Sequence, residues 1–261
     1  MQERYVDVGS GVRLHCNISN FGGGSSVLLI HGWAESSKIW LRYIKRSAGR
    51  LKIVAIDLKG FGDSDKPISG YGLPELADEA YIAARKLGIS KASVVGHSMG
   101  GQIAMYIAIR HRDFVEKLVV VDSAEKPSKL VPIWLTDAKK DYKGLIRRVV
   151  PSLFDSISAA DLKLFMGEGL KMTRDSVLGT LNSIMRMRLE TKLGRINCPA
   201  LLIFGIHDRN RSVDEIRALG KKLNGSKFIV IKGSRHCPMY ENVEDFSKAL
   251  DRFLNSKKVY G

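Results

Sequence analysis

Apolar residues along this chain occur in short, nearly continuous runs that alternate with segments of helical periodicity. Two runs open the chain, Tyr5–Val8 and Arg13–Ile18, and Gly9-Ser10-Gly11 between them is typical of a hairpin turn. Six further runs predict buried strands: Val27–Ile30, Lys52–Ile56, Ala92–Val95, Val115–Val121, Ala200–Phe204 and Lys227–Ile231. Helical periods separate or follow them: Lys38–Ser47, Leu73–Leu87, Gly101–Ile109, Val213–Leu223 and Asp245–Leu254. This alternation predicts an α/β fold with a mostly parallel, eight-stranded sheet flanked by helices.

One interval, residues 125–195, breaks the alternation. It contains no convincing strand, but its apolar spacing predicts helices over Asp137–Val149, Ala159–Leu170 and Asp175–Leu193. Structureless loops of this length are uncommon inside compact domains, so we expect the interval to be folded. The predicted organisation is therefore a core formed by residues 1–124 and 196–261, with a helical unit inserted at residues 125–195.

Composition narrows the class of protein without deciding it. The 261 residues are 44% hydrophobic and 26% charged, as in ordinary globular proteins. No run approaches the roughly 18 apolar residues of a membrane span, and no signal-peptide core opens the chain, so we expect a cytoplasmic protein. The three cysteines (Cys16, Cys198 and Cys237) are few and widely spaced, which argues against a disulfide framework.

The net charge of +15 is strongly basic. Such a charge is compatible with binding to nucleic acid or to anionic surfaces. The basic residues are scattered, however, and no basic block is interleaved with aromatic residues, so we expect a solvated basic surface and no nucleic-acid partner. The sequence leaves a homodimer open.

A glycine-flanked serine carries the first chemical signal. Gly96-His97-Ser98-Met99-Gly100 matches the G-x-S-x-G pattern, which is weak alone but here joins the apolar run Ala92–Val95 to a helical segment. A sharp strand-to-helix turn forces the serine into an unfavourable backbone conformation and exposes its hydroxyl. The backbone N–H of Met99, at the start of the helix, would be placed to stabilise an oxyanion.

With this turn the sequence resembles the α/β-hydrolase family, and other segments match the family in chain order. His31-Gly32-Trp33 resembles the turn whose backbone supplies the second oxyanion donor, which by position is the N–H of Trp33. The segment Asp57–Asp65 resembles the family's D-x-x-G-x-G-x-S loop, to which we assign a structural role. In the family the acid and the base follow two late strands, where this chain has Asp208 and His236.

A triad needs a base that takes the serine proton and a carboxylate that orients the base. His236 alone combines a loop after a strand with the expected chain order. The other histidines (His15, His31, His97, His111 and His207) lie in a strand, in glycine turns, at a helix end or before the acid. Asp208 is favoured as the acid, and Asp122, after the run Val115–Val121, is the rival.

The same residues predict the chemistry and exclude other classes. Family members that open epoxides or cleave halides by this route use an aspartate in the turn, so Ser98 favours acyl transfer to water and cleavage of carboxylic esters. No metal-binding spacing and no G-x-G-x-x-G at a strand-to-helix turn is present, so we expect no metal and no cofactor. Lactonases and hydrolases that cleave the C–C bond of diketones share the triad and stay open, as do a small-molecule receptor and a polyanion-binding protein with a vestigial site.

In the family, an insertion after the strand that ends near residue 121 forms a cap over the active site, and residues 125–195 fit that position. Its methionine and aromatic residues could line an apolar pocket or simply pack the insertion against the core: Trp134, Phe154, Phe165, Met166, Met172, Met185 and Met187. We expect Trp33, Met99 and Trp134 to contact the substrate. A small cap and a short chain resemble carboxylesterases that act on small or medium acyl chains.

Overall fold

A computed structural model describes residues 1–19, 25–47, 51–223 and 225–256. The eight strands are β1 (Gln2–Gly9), β2 (Val12–Ser19), β3 (Ser26–Ile30), β4 (Lys52–Ile56), β5 (Ala92–His97), β6 (Val115–Val121), β7 (Ala200–Gly205) and β8 (Lys227–Ile231). The α-helices are α1 (Leu41–Arg46), α2 (Leu73–Lys86), α3 (Met99–Arg110), α4 (Val131–Ser152), α5 (Ala159–Gly169), α6 (Arg174–Met185), α7 (Val213–Lys222), α8 (Pro238–Glu241) and α9 (Val243–Leu254).

All eight strands form one sheet in the order β1-β2-β4-β3-β5-β6-β7-β8. Strand β2 pairs antiparallel with both of its neighbours, and every pairing from β4 to β8 is parallel. Helices flank the sheet, which confirms the predicted fold class. The middle strands β3 and β5 are buried along almost their whole length, as continuous apolar runs require when both sheet faces are covered.

Element boundaries differ from the prediction mainly at the strand-to-helix turn and at helix ends. Strand β5 continues to His97 and α3 begins at Met99, so only Ser98 lies between the strand and the helix. The turn is therefore shorter than the five-residue segment Gly96–Gly100 that the sequence predicts. The segment predicted as one helix over Lys38–Ser47 is a 3₁₀ turn, Ser37–Trp40, followed by α1. Helix α8 was not predicted because four residues are too few to show a period.

The interval 125–195 contains α4, α5, α6 and a 3₁₀ turn, Leu193–Arg195. The prediction that the third helix extends to Leu193 is wrong, since α6 ends at Met185. Met187 and Leu189 are both buried, and a spacing of two residues suits an extended segment rather than a helix. Helix α4 starts earlier than predicted, at Val131, because a proline suits the first helical turn.

Polar contacts connect these three helices to the rest of the molecule. Lys38 Nζ lies 2.7 Å from Glu168 Oε1, and Lys171 Nζ lies 2.7 Å from Asp63 Oδ1. The indole N–H of Trp33 donates to Thr180 Oγ1 over 3.1 Å. The division of the chain into a core and an inserted unit stays a prediction, but these contacts hold α5 and α6 against the segments that follow β3 and β4.

No helix within the described ranges is both long and apolar enough to cross a bilayer.

Close backbone packing fixes the start of α3. A Cβ atom at Gly100 would lie 2.4 Å from the carbonyl oxygen of Ile30 and 2.5 Å from that of His31. A Cβ atom at Gly96 would lie 2.0 Å from the carbonyl oxygen of Gly100. Only glycine therefore lets the strand, the turn and the helix meet at these distances.

Replacing Gly100 by alanine should destabilise the protein by about 1–3 kcal/mol or more, because backbone atoms would have to move to admit the new carbon. The matched control is Gly167→Ala in α5, where a Cβ would meet no atom within 4 Å and the helix should gain about 0.5–1 kcal/mol. Urea unfolding of both variants measures the difference. Equal effects would contradict the close packing.

Candidate active site

The backbone of Ser98 is strained in the turn at the carboxyl edge of the sheet. Ser98 has φ 51° and ψ −118°, a combination that costs a non-glycine residue about 1–3 kcal/mol. Its N–H donates to the carbonyl of Val121 over 2.9 Å, and its own carbonyl accepts from Gly101 N–H over 2.9 Å. The backbone of Ser98 is thus held on both sides, and its half-buried side chain lines a cavity.

The turn after β3 packs directly against the serine. A Cβ atom at Gly32 would lie 3.1 Å from the Cβ of Ser98, so the two backbone segments nearly touch. Within the described ranges, the backbone N–H groups of Trp33 and Met99 have no acceptor in the protein. Both are therefore available to a ligand oxygen near Ser98. His31 holds this turn in place, because its Nδ1 donates to Gly32 O over 2.7 Å and its Nε2 accepts from Leu58 N–H over 3.0 Å.

A buried ion pair lies behind the serine. His97 Nδ1 lies 2.9 Å from Glu35 Oε2, and His97 Nε2 lies 2.7 Å from the carbonyl oxygen of His236. A carboxylate and a carbonyl can only accept, so His97 donates from both ring nitrogens and is an imidazolium. Burial disfavours this charge, but the Glu35 carboxylate outweighs it and raises the pKa of His97. Burial likewise opposes the charge of Glu35, yet His97 and the Gly32 N–H lower the pKa of Glu35.

This pair connects three parts of the site. Glu35 Oε2 also accepts the N–H of Gly32 over 2.7 Å, which fixes the turn after β3. His97 directly precedes Ser98, and its bond to the carbonyl of His236 fixes the loop after β8. The Cys237 thiol lies 3.8 Å from Glu35 Oε1, and burial raises the pKa of Cys237 well above its usual value, so the thiol is a neutral packing group.

His236 and Asp208 come together although 28 residues separate them. His236 Nδ1 lies 2.9 Å from Asp208 Oδ2, and both side chains are almost fully buried. Asp208 Oδ1 accepts the N–H of Asn210 over 2.8 Å. The rings of His236 and His97 are 4.7 Å apart, which places His236 beside the serine turn. The carboxylate fixes the proton on Nδ1, and Nε2 is the ring nitrogen left to accept another.

Asp122, the rival acid, lies next to Asp208 but does not contact His236. Its Oδ1 accepts the N–H of Gly205 over 2.9 Å, and its buried Oδ2 has no donor among the described residues. Burial and the neighbouring Asp208 raise the pKa of Asp122 well above its usual value, which favours the neutral form of this carboxyl. The Asp208 carboxylate remains ionised, because His236 holds its pKa below the usual value despite burial.

The segment Asp57–Asp65 supports the loops around the site. Asp57 accepts from the backbone N–H of Ser37 over 2.6 Å and lies 3.0 Å from His15 Nδ1. Burial opposes its charge, but these donors lower the pKa of Asp57. Gly60 and Gly62 adopt φ values of 90° and 48°, which the tight loop requires.

A narrow cavity of about 30 Å³ opens over Ser98. Trp33, Met99 and Trp134 all line it, and the indole rings of Trp33 and Trp134 stack with centroids 5.5 Å apart. Of the aromatic and methionine residues singled out in the interval 125–195, only Trp134 is among the lining residues. Phe154, Phe165, Met172 and Met187 are instead buried in the apolar core.

A larger groove lies at the opposite edge of the sheet, before the starts of β5, β6 and β7, and includes Lys91, Arg112 and Cys198. Ligands in open α/β sheets bind outside the carboxyl ends of the strands. The cavity over Ser98 has that position, and the larger groove does not.

Three clusters of histidine, cysteine and carboxylate groups within the described ranges have the proximity of metal ligands: Glu35, His97 and Cys237; His15, Asp57 and Asp63; and Asp122, Asp208 and His236. The expectation that the site uses no metal stays a prediction.

Sequence reasoning missed three residues of this site. Glu35 follows the glycine turn at no distinctive spacing, and His97 was regarded as an incidental turn residue. Arg211 also lines the cavity, but nothing in the sequence distinguishes it from the other basic residues. One sequence feature could have identified Glu35 and His97. Each is an ionisable residue in a turn that the predicted fold buries, and a buried charge needs a partner.

A family model described as the alpha/beta hydrolase fold matches residues 25–171, which is more than half of the chain. Among known proteins, the pimeloyl-[acyl-carrier protein] methyl ester esterase of Aeromonas hydrophila is 24% identical over 266 residues, covering 91% of this chain and 98% of that protein. The soluble epoxide hydrolase of a Corynebacterium species is 36% identical over 113 residues, but the match covers 43% of this chain and only 39% of that protein.

Solved structures agree on the fold. The enol-lactonase of Burkholderia xenovorans superposes with a TM-score of 0.90 at 21% identity, covering 97% of this chain and 100% of that one. The esterase EaEST of Exiguobacterium antarcticum superposes with a TM-score of 0.90 at 18% identity, covering 98% and 100%. At these identities the likeness establishes the fold alone.

Glu35→Gln should destabilise the protein by about 3–5 kcal/mol, because it leaves the buried His97 charge without a partner. The raised pKa of His97 contributes stability that is present below its ordinary value of 6.5 and lost as pH rises through the raised pKa. The lowered pKa of Glu35 contributes stability that is present above 4.5 and lost as pH falls through the lowered pKa. The deficit of the variant should therefore be largest between pH 4.5 and 6.5.

Chemical unfolding of both proteins over a pH series measures this deficit. Glu244→Gln is the control, since Glu244 belongs to an exposed pair with Lys248 and its loss should change stability little. A Glu35→Gln deficit that does not change with pH, or that grows above pH 7, would mean that the pair is not charged.

Proposed function

Because the chain belongs to the alpha/beta hydrolase fold family, we propose that it is a serine hydrolase that cleaves carboxylic esters of small to medium acyl chains. The observation that carries the proposal is the strained Ser98 turn beside the buried His236–Asp208 pair. Each of the three side chains follows a different parallel strand at the carboxyl edge of the sheet, where this fold concentrates its chemistry.

The proposed reaction begins when Ser98 Oγ attacks the ester carbonyl and His236 Nε2 takes the hydroxyl proton. Asp208 holds the ring in the required tautomer and stabilises the imidazolium that forms. The N–H groups of Trp33 and Met99 stabilise the negative oxygen of the tetrahedral intermediate, each by about 3–4 kcal/mol. His236 returns the proton to the leaving alcohol, which leaves the acyl group on Ser98.

Hydrolysis of the acyl-enzyme repeats these steps with water. His236 accepts a proton from water as its oxygen attacks the acyl carbon, and then protonates Ser98 Oγ as the acid departs. The Glu35–His97 pair is not expected to exchange protons with substrate. We assign it a positioning role, because it holds the turn after β3 and the His236 backbone in one geometry.

The relatives support an ester over an epoxide. One relative aligned over almost the whole chain is a methyl ester esterase, whereas the epoxide hydrolase matches less than half of either chain. Epoxide opening by this route would require a carboxylate at position 98. A lactone is a cyclic ester and reacts by the same steps, so a lactonase is the second candidate, and the fold shared with an enol-lactonase favours testing it.

The cavity over Ser98 bears on the size of the acyl chain and on the access of substrate to the site. The cavity over Ser98 is narrow, which favours short and medium acyl chains over long ones. Val131 and Trp134 of α4 and Ile184 of α6 line it together with Ser98. We therefore propose that residues 125–195 act as a cap over the site. The cytoplasmic location, the absence of a nucleic-acid partner and the open question of a homodimer stay predictions from the sequence.

The first test is hydrolysis of p-nitrophenyl esters of increasing acyl length. Wild-type protein should turn over many times, with its optimum among short and medium chains, and Ser98→Ala or His236→Ala should each lower kcat about 10³-fold or more. His207→Ala is the control, because His207 is exposed and lies next to Asp208 in sequence; it should keep most of the activity.

An inert wild type, or variants that match it, would reject the esterase. Turnover of lactones alone would favour the second candidate, and turnover of diketones alone would indicate a C–C hydrolase. A single slow turnover that stabilises the protein would indicate a receptor.

A second test separates the two neighbouring acids. Asp208→Asn should lower kcat by about 10⁴-fold, because the amide cannot hold the His236 tautomer. Asp122→Asn should keep kcat within about tenfold, because burial and Asp208 favour the neutral carboxyl and the amide is also neutral. Steady-state kinetics on one p-nitrophenyl ester measure both. The reverse order would make Asp122 the functional acid.

A further inference from the structure

One cationic side chain lines the cavity over Ser98, and one of its buried nitrogens has no hydrogen bond among the described residues. Arg211 follows Asp208 by three residues and precedes α7, and only 6% of its side chain is exposed. It lines the same cavity as Ser98. Its Nη1 is buried without a hydrogen-bond partner among the described residues. A buried guanidinium N–H without a hydrogen bond is costly, so its retention at this position requires an explanation.

The nearby carboxylates are already engaged. Glu215 Oε1 lies 3.8 Å from Arg211 Nη1, which is too long for a hydrogen bond, and Glu215 Oε2 accepts the N–H of Ser212 at the start of α7. Both oxygens of Asp208 have donors, His236 and Asn210. Glu125 pairs with Lys222. The protein therefore places acids around Arg211 without giving Nη1 a partner.

The rest of the cavity favours an anion at this position. The neighbouring lining residues include the apolar side chains of Val131, Trp134 and Ile184, and none of the lining residues is an acid. Gln102 presents a buried Oε1 without a donor, but an amide oxygen can only accept and so does not suit a carboxylate. Arg211 is the one group of the lining that can pair with a negative charge, and a guanidinium matches a carboxylate with two parallel hydrogen bonds.

We propose that Arg211 binds a free carboxylate of the substrate, so that the preferred substrates are esters or lactones that also carry an ionised carboxyl group, such as half-esters of dicarboxylic acids. This inference rests on the proposed hydrolase function. The ester carbonyl would lie at Ser98 and the carboxylate at Arg211, within one cavity. Burial of the ion pair among apolar side chains would make the charge a determinant of specificity.

Kinetics on matched ester pairs test the proposal. The anionic probes are mono-p-nitrophenyl succinate, glutarate and adipate, and the neutral probes are p-nitrophenyl butyrate, pentanoate and hexanoate. Wild type should prefer at least one anionic probe over its neutral match by about 10–100-fold in kcat/KM, as a charged hydrogen bond in a closed site provides. Arg211→Met should abolish that preference, largely through KM, and change the neutral esters less than about fivefold. Arg211→Lys should restore part of it, because the charge remains without the paired geometry.

Arg209→Met is the matched control, since Arg209 is exposed and lies in the same loop. It should keep the wild-type preference. A wild type that shows no preference for any anionic probe, or an Arg211→Met variant that loses neutral and anionic esters equally, would overturn the proposal and make Arg211 a structural residue.

A binding measurement separates this inference from the proposed function. Monomethyl glutarate should raise the Tm of Ser98→Ala protein, dimethyl glutarate should not, and the shift should vanish in Ser98→Ala/Arg211→Met. If esters are not hydrolysed but this shift is present, the hydrolase proposal fails and the carboxylate site stands. If esters are hydrolysed and the shift is absent, the carboxylate site fails alone.

Discussion

The positive φ of Ser98 is the constraint on which the site depends. It is maintained because β5, the turn and α3 are packed so closely that Gly96 and Gly100 have no room for a Cβ atom. The neighbouring carbonyls of Ile30 and His31 belong to β3 and the turn after it, so the strain is opposed by the middle of the sheet. The same packing sets the Trp33 and Met99 N–H groups beside the serine. A fold that relaxed the turn would lose the exposed hydroxyl and the pair of donors together.

The buried Glu35–His97 pair connects the Ser98 turn to the loops that follow β3 and β8. Glu35 Oε2 accepts hydrogen bonds from the Gly32 N–H and from His97 Nδ1. His97 Nε2 donates to the carbonyl oxygen of His236. Ser98, the donors after β3 and the loop after β8 therefore share one buried, hydrogen-bonded support. Burial and the neighbouring Asp208 raise the pKa of Asp122, whereas His236 lowers the pKa of Asp208, so the acid that faces His236 is the one that favours the ionised form.

Much of this architecture could be predicted from sequence, because apolar runs bounded by turns reflect burial on both faces of the sheet. The bounds of β4, β6 and β8 agree with the prediction to the residue. Local patterns could not show which acid meets His236, since Asp122 and Asp208 each follow a buried strand. Nor could they show that Glu35 and Arg211 are buried, because burial of a charge depends on what the tertiary fold brings against it. The end of α6 was misplaced for a similar reason, since the buried residues after Met185 resemble a continuing helix.

The central claim is that Ser98 is a nucleophile activated by His236. The most direct measurement is intact-mass and peptide mass spectrometry after reaction with a p-nitrophenyl alkylphosphonate, which a serine hydrolase attacks as it would an ester but cannot readily release. The account predicts one phosphonyl group per chain, located on Ser98, with a rate that falls sharply in His236→Ala. No adduct, or an adduct on another residue while Ser98 stays unmodified, would contradict it.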